Sequence, residues 1–123
     1  MSQRVERVVL FPRYTAFIGT TALYSGPVDV RDYAGMVLTA WMGTGLGTTP
    51  AEVEFTLQQS PDLENWSDAG SLTPDAGEEE TDTFSFQYPW MRVKAVVSGT
   101  NPGVTCWLEG ELVRREDATG GTA

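Results

Sequence analysis

Apolar and polar side chains alternate along much of this chain with the period of two that marks a strand buried on one face, and no window of useful length shows helical periodicity. The alternation is cleanest over residues 52–59. There Val53, Phe55 and Leu57 point one way and Glu52, Glu54, Thr56 and Gln58 the other. Residues 36–42 are apolar on nearly both faces, which predicts a central strand. Weaker runs predict strands over 5–14, 15–22, 28–30, 66–70 and 81–88, the last with Phe84, Phe86 and Tyr88 on one face. Pro12 sets the end of the first at a sheet edge or in an extended arm.

The last two strands carry the strongest pattern. Over 90–98, Met91, Val93, Ala95 and Val97 share a face opposite Arg92 and Lys94; over 104–113, Val104, Cys106 and Leu108 alternate with Thr105, Trp107 and Glu109. Folding the two about the turn at Asn101 and Pro102 predicts a hairpin with Val93 opposite Leu108, Arg92 opposite Glu109 and Lys94 opposite Trp107. On that reading Arg92 and Lys94 are satisfied inside the domain, and Trp107 is partly exposed.

Turn signals at Ser25–Pro27, 43–50, 60–65 and 71–80 separate these runs at the short spacing of a sandwich. The expected architecture is an all-β antiparallel β-sandwich, jelly-roll-like, of about eight strands. Residues 1–13 are read as an extended N-terminal arm or first strand, 14–115 as the sandwich domain and 116–123 as a flexible C-terminal tail rich in Gly and Thr. A chain of this length forms a core without disulfides or metal, and the lone Cys106 falls on an apolar strand face, as a small buried hydrophobe would.

Charge narrows the partners. With 8 basic against 17 acidic residues and no histidine, the formal charge is −9, which argues against nucleic-acid binding. No basic residue occurs between Arg31 and Arg92, so the acid lies in the middle and the cations near the termini. The N-terminus lacks the apolar segment of a signal peptide and no run approaches a membrane span, so the expectation is a product made and folded in the cytoplasm that binds no membrane.

No motif points to catalysis. Gly43, Gly45 and Gly47 form a glycine-rich stretch without the Lys or the following helix of a phosphate loop, and are read as a flexible loop able to lie close against a partner. The oxygen-rich run Asp62, Glu64, Asn65 and Asp68 lacks EF-hand spacing, and Glu78–Glu80 continue an acidic loop; both are read as solvated turns with no metal. Asn65–Ser67 matches a glycosylation sequon, taken as chance in a chain without a secretion signal. Without His, and with one Cys, the usual zinc sets and Ser-His or Cys-His nucleophile pairs are excluded, and no cofactor is expected. Of four tryptophans, Trp41 and Trp90 are assigned to the core, whereas Trp66 follows a turn and is a candidate anchor for a partner.

Three segments, Leu57–Trp66 (LQQSPDLENW), Pro89–Pro102 (PWMRVKAVVSGTNP) and Thr105–Gly110 (TCWLEG), resemble small β-sandwich accessory proteins of tailed bacteriophage virions. Discoidin-like and galactose-binding-like jelly rolls are looser relatives. The resemblance implies a non-enzymatic virion structural protein, a capsid cement or decoration protein made in the host cytoplasm and carried on the capsid surface. It would clamp neighbouring major capsid protein subunits as a homotrimer. Arg4, Arg7 and Arg13 of the arm, Trp66 and the three loop glycines are the partner-binding candidates. The alternative is a carbohydrate-binding or receptor-binding module of a phage tail or fibre, with Trp66, Trp41 or Trp90 as stacking platforms. A hydrolase subunit using carboxylates is the least supported class, because no pair is shown to flank a cleft.

Overall fold

The computed structural model describes residues 5–47 and 51–115. In these, nine strands follow one another: β1 (Val5–Ile18), β2 (Leu23–Tyr24), β3 (Val28–Asp29), β4 (Tyr33–Met42), β5 (Glu52–Ser60), β6 (Ser67–Leu72), β7 (Glu79–Ser85), β8 (Trp90–Ser98) and β9 (Gly103–Arg114). They form two antiparallel sheets. One has the order β1-β9-β4-β7; the other has β2-β8-β5-β6, with β3 also on β8. Since β2 and β3 sit on the same strand and are broken by the Ser25–Pro27 turn, they act as one interrupted strand, and the topology is an eight-stranded jelly roll. The expected all-β sandwich is therefore what the chain adopts.

The alternating positions explain the core. Val53, Phe55 and Leu57 of β5, Met91 and Val93 of β8, and Leu38 and Ala40 of β4 are fully buried between the sheets. The 36–42 run lies between β9 and β7, the central place its two-sided apolar pattern predicts.

The expected hairpin does not form. β8 pairs with β5, β2 and β3, and β9 pairs with β1 and β4, so the two strands belong to different sheets and face each other across the core. Residues 99–102 are thus a crossover. Val93 and Leu108 are each 0 % exposed because each lies on the inner face of its own sheet rather than beside the other within one. Among the described residues, β5 and β6 alone are both consecutive and hydrogen-bonded neighbours.

Strands predicted over 5–14 and 15–22 are one strand, β1, which continues to Ile18 along β9. Its register slips between Phe11 and Thr15, where Pro12 has no N–H for the ladder and Tyr14 takes a left-handed φ of 64°. Residues 5–13 accordingly stand in the four-stranded sheet as its edge. Tyr88 leaves the face it was expected to share, since it is exposed while Phe84 and Phe86 are buried. Arg4 and residues 116–123 lie outside the described residues.

Candidate partner-binding surface

The slip in β1 has a local consequence on the outer face of the four-stranded sheet. A bulge re-aims side chains, and here Arg13 lies across the sheet with its guanidinium carbon 4.3 Å from the centre of the Trp107 ring and Nε 3.1 Å from Glu109 Oε2. The hydrogen bond to Glu109 is the main cause that raises the arginine pKa. Trp107 is only 6 % exposed although it points out of the sandwich. The cation over Trp107 and the partner of Glu109 are therefore Arg13, not Lys94 and Arg92. A hollow of about 110 Å³ beside them is lined by Arg7, Glu79 and Glu111 as well.

Arg92 has a different setting, on the outer face of the five-stranded sheet. Its guanidinium carbon lies 4.2 Å from the ring of Tyr24 and 4.2 Å from that of Trp66, a cation held between two aromatics. Nε donates to Gln58 Oε1 at 2.8 Å, and Gln58 Nε2 donates in turn to Asp68 Oδ1 at 2.9 Å. Trp66 is fixed by its own indole N–H, which donates to the Leu63 carbonyl at 3.1 Å. One face of Trp66 is thus occupied by Arg92, and a sugar stacking there would have to displace it. Trp90 has Arg31 at 5.7 Å, and Arg31 is paired with Asp29 at 3.0 Å.

The acidic turn before Trp66 is organised by Asp62. Its carboxylate accepts from the backbone N–H groups of Asn65 (2.8 Å) and Glu64 (2.9 Å), from the Asn65 amide (2.7 Å) and from Ser60 Oγ (3.1 Å). These bonds, the Asn65 N–H first, hold the Asp62 pKa down at about 2. Among the described residues no group of three or more acidic, Cys or His side chains converges as a metal site. Cys106 is buried, and desolvation pushes its thiol up to about 12.

The loop glycines are used against the protein's own backbone. A Cβ at Gly45 would lie 2.8 Å from the Ala51 carbonyl oxygen, and Gly47, at a φ of 132°, would place one 2.7 Å from that of Thr100. Gly43 donates to the Thr105 carbonyl at 2.7 Å, while Leu46 and Gly103 exchange two backbone bonds of 2.8 and 3.0 Å. This seats the loop on β9 and presents the Leu46 side chain. Ile18, paired with Gly103 from the other side, is 87 % exposed and Leu46 is 70 %. Between them runs a shallow groove of about 130 Å³ lined by Phe17 and Val104, an apolar surface at one end of the sheet. Sequence reasoning passed over both residues. The available signal was Ile18 on an outward strand position beside a glycine.

A larger hollow, about 490 Å³, opens at the opposite flank between β6 and β7 and is lined by Gln59, Asp68, Phe84 and Tyr88.

No family model matches the chain, and no curated protein matches it in sequence. Among solved structures, its fold is similar to that of the PBSX exported protein XepA, with a TM-score of 0.71 and 14% identity over 91% of this chain and 38% of that one. It is also similar to the VP2 subviral particle of infectious bursal disease virus, at a TM-score of 0.59 and 10% identity over 97% of this chain and 33% of that one. The SPBc2 prophage-derived protein YomS aligns over 92% of this chain and 96% of its own, at a TM-score of 0.53 and 12% identity. The chain thus spans well under half of the XepA and VP2 chains but nearly all of YomS. What is shared is the sandwich fold, found in phage-derived proteins and in a viral particle protein.

Proposed function

We propose that the chain is a non-enzymatic structural protein of a phage virion, a cement that sits on the capsid surface and ties neighbouring major capsid subunits together. The observation that carries this reading is the sandwich itself, shared with two phage-derived proteins and with a viral protein that forms particles. The surface supports it and revises how contact is made. Arg13 is held by Glu109 and Arg31 by Asp29, so these cations are partnered within the chain. The exposed apolar pair Ile18 and Leu46 is the stronger candidate for the shell-facing end, because such side chains gain most from being covered. Three copies around a local threefold axis is the assembly proposed on the shell.

The test is made on particles released by cells that encode the chain. Mass spectrometry should find it in purified particles at many copies, and particles from a strain lacking the gene should lose heat stability. Ile18→Asp with Leu46→Asp should leave the protein folded and abolish its addition to such depleted particles. Absence of the chain from particles overturns the proposal.

A further inference from the structure

The hollow of about 490 Å³ at the β6–β7 flank lies between the last strands of the two sheets, and its size is that of a small-molecule site. Its frame is fixed by the protein itself. Gln59 reaches from the five-stranded sheet, donates through Nε2 to the Ser85 carbonyl and accepts at Oε1 from the N–H groups of Gln87 and Tyr88. A carboxamide nitrogen carries two hydrogens, and only one of these has an acceptor among the described residues. Ser67 is the register partner of Gln59 and shares its face. Phe84 closes in where Gly70 has no side chain, since a Cβ there would come 2.5 Å from its ring. The Ser67 hydroxyl, the Gln87 amide and the Tyr88 hydroxyl have no hydrogen-bond partner among the described residues. No Lys or Arg lines the hollow, and its one acid, Asp68, already accepts from Gln58 Nε2. Tyr88 is 42 % exposed, which leaves its ring open to solvent beside these groups.

We propose that this hollow binds one sugar ring of a neutral glycan. The hydroxyls of a sugar donate and accept at once, and so do the hydroxyl and amide side chains that line the hollow. The C–H face of a sugar ring needs an apolar surface, which the rings of Tyr88 and Phe84 supply. A lining that holds Asp68 and no cation disfavours phosphate, sulfate and uronate groups, so the ligand is neutral. The bonds of Gln59 order the wall in advance, which removes a cost that weakens flexible sites. Sugar recognition is thereby placed on the flank and not on Trp66, whose face Arg92 occupies. The inference does not rest on the virion reading. The hollow lies by Ser85, which pairs with the Gly35 end of β4, whereas Leu46 follows the Met42 end, so the sugar site and the apolar pair lie at opposite ends of the sheet.

The purified full chain is applied to an array of neutral and acidic glycans, and the strongest hits are titrated by calorimetry. The hits should be neutral glycans. Tyr88→Ala and, separately, Ser67→Leu should each raise the dissociation constant about tenfold or more, with circular dichroism showing both variants folded. Trp66→Ala should leave the affinity unchanged. A blank array, a preference for acidic glycans, or an affinity that neither Tyr88→Ala nor Ser67→Leu lowers overturns the proposal; loss on Trp66→Ala alone would return the sugar to that tryptophan and overturn it as well. Whether the chain is found in particles has no bearing on any of these results.

Discussion

Gln59 offers the sharpest test of how the two sheets are joined. It sits on β5 with 5 % exposure, facing inward at the flank where the chain passes from β7 to β8. Its Nε2 donates to the Ser85 carbonyl at 3.0 Å, and its Oε1 accepts from the N–H groups of Gln87 and Tyr88 at 2.8 and 3.2 Å. One side chain of the five-stranded sheet thus fixes the end of β7 and the link beyond it. Gln59→Leu keeps the volume but removes all three bonds. Leaving a buried polar group unpaired costs about 1–3 kcal/mol. The adjoining hollow admits water to these groups, so each falls near the lower end and the sum is about 3 kcal/mol. Against the total expected at roughly 0.05–0.15 kcal/mol per residue, that is a large fraction. Urea unfolding followed by tryptophan fluorescence should show a lower midpoint at unchanged slope, and amide exchange at Gln87 and Tyr88 should quicken. A loss below about 0.5 kcal/mol, the range of a neutral surface change, would refute the reasoning.

Three further outcomes follow from the same geometry. Asp62 has its pKa lowered from 3.8 to about 2, so its bonds stabilise the folded chain above the unfolded pKa, and that stability should drain away as pH falls from near 4 towards 2; Asp62→Ala should flatten this part of a stability–pH curve. Cys106, buried with its thiol pKa near 12, should not react with a thiol reagent at neutral pH until the chain unfolds, and rapid labelling of native protein would contradict the assigned burial. Gly35→Ala would put a Cβ 2.4 Å from the Phe84 carbonyl oxygen, a rigid backbone neighbour, and should cost about 1–3 kcal/mol in thermal or urea unfolding; no loss would mean β4 and β7 sit farther apart.

Strand content was legible because it is written in local alternation: Glu52 to Ser60 and Trp90 to Ser98 are strands by that pattern alone. Partner choice was not. A strand of alternating Val and Met looks the same whether its neighbour in sequence lies beside it or across the core, and β8 and β9 are joined by a link short enough for either. The surface chemistry inherited that error. Trp107 and Glu109 were correctly placed on one outward face, but their cation came from Arg13, ninety-six positions before Glu109 and aimed by a slip in register that Pro12 hinted at and Tyr14 completes. Trp66 was found as an aromatic after a turn, while its partner Arg92 had been assigned elsewhere. Ile18 and Leu46 flank one groove because each pairs with Gly103 from its own side, and no local pattern reports that.

The central claim, that this sandwich is a piece of a virion's outer surface, is tested most directly by a cryo-electron-microscopy reconstruction of particles from cells encoding it. The account predicts density of this fold on the outside of the shell around threefold positions, with Ile18 and Leu46 turned towards the capsid. Particles whose shells carry no such density, or carry it only on the tail, would contradict it.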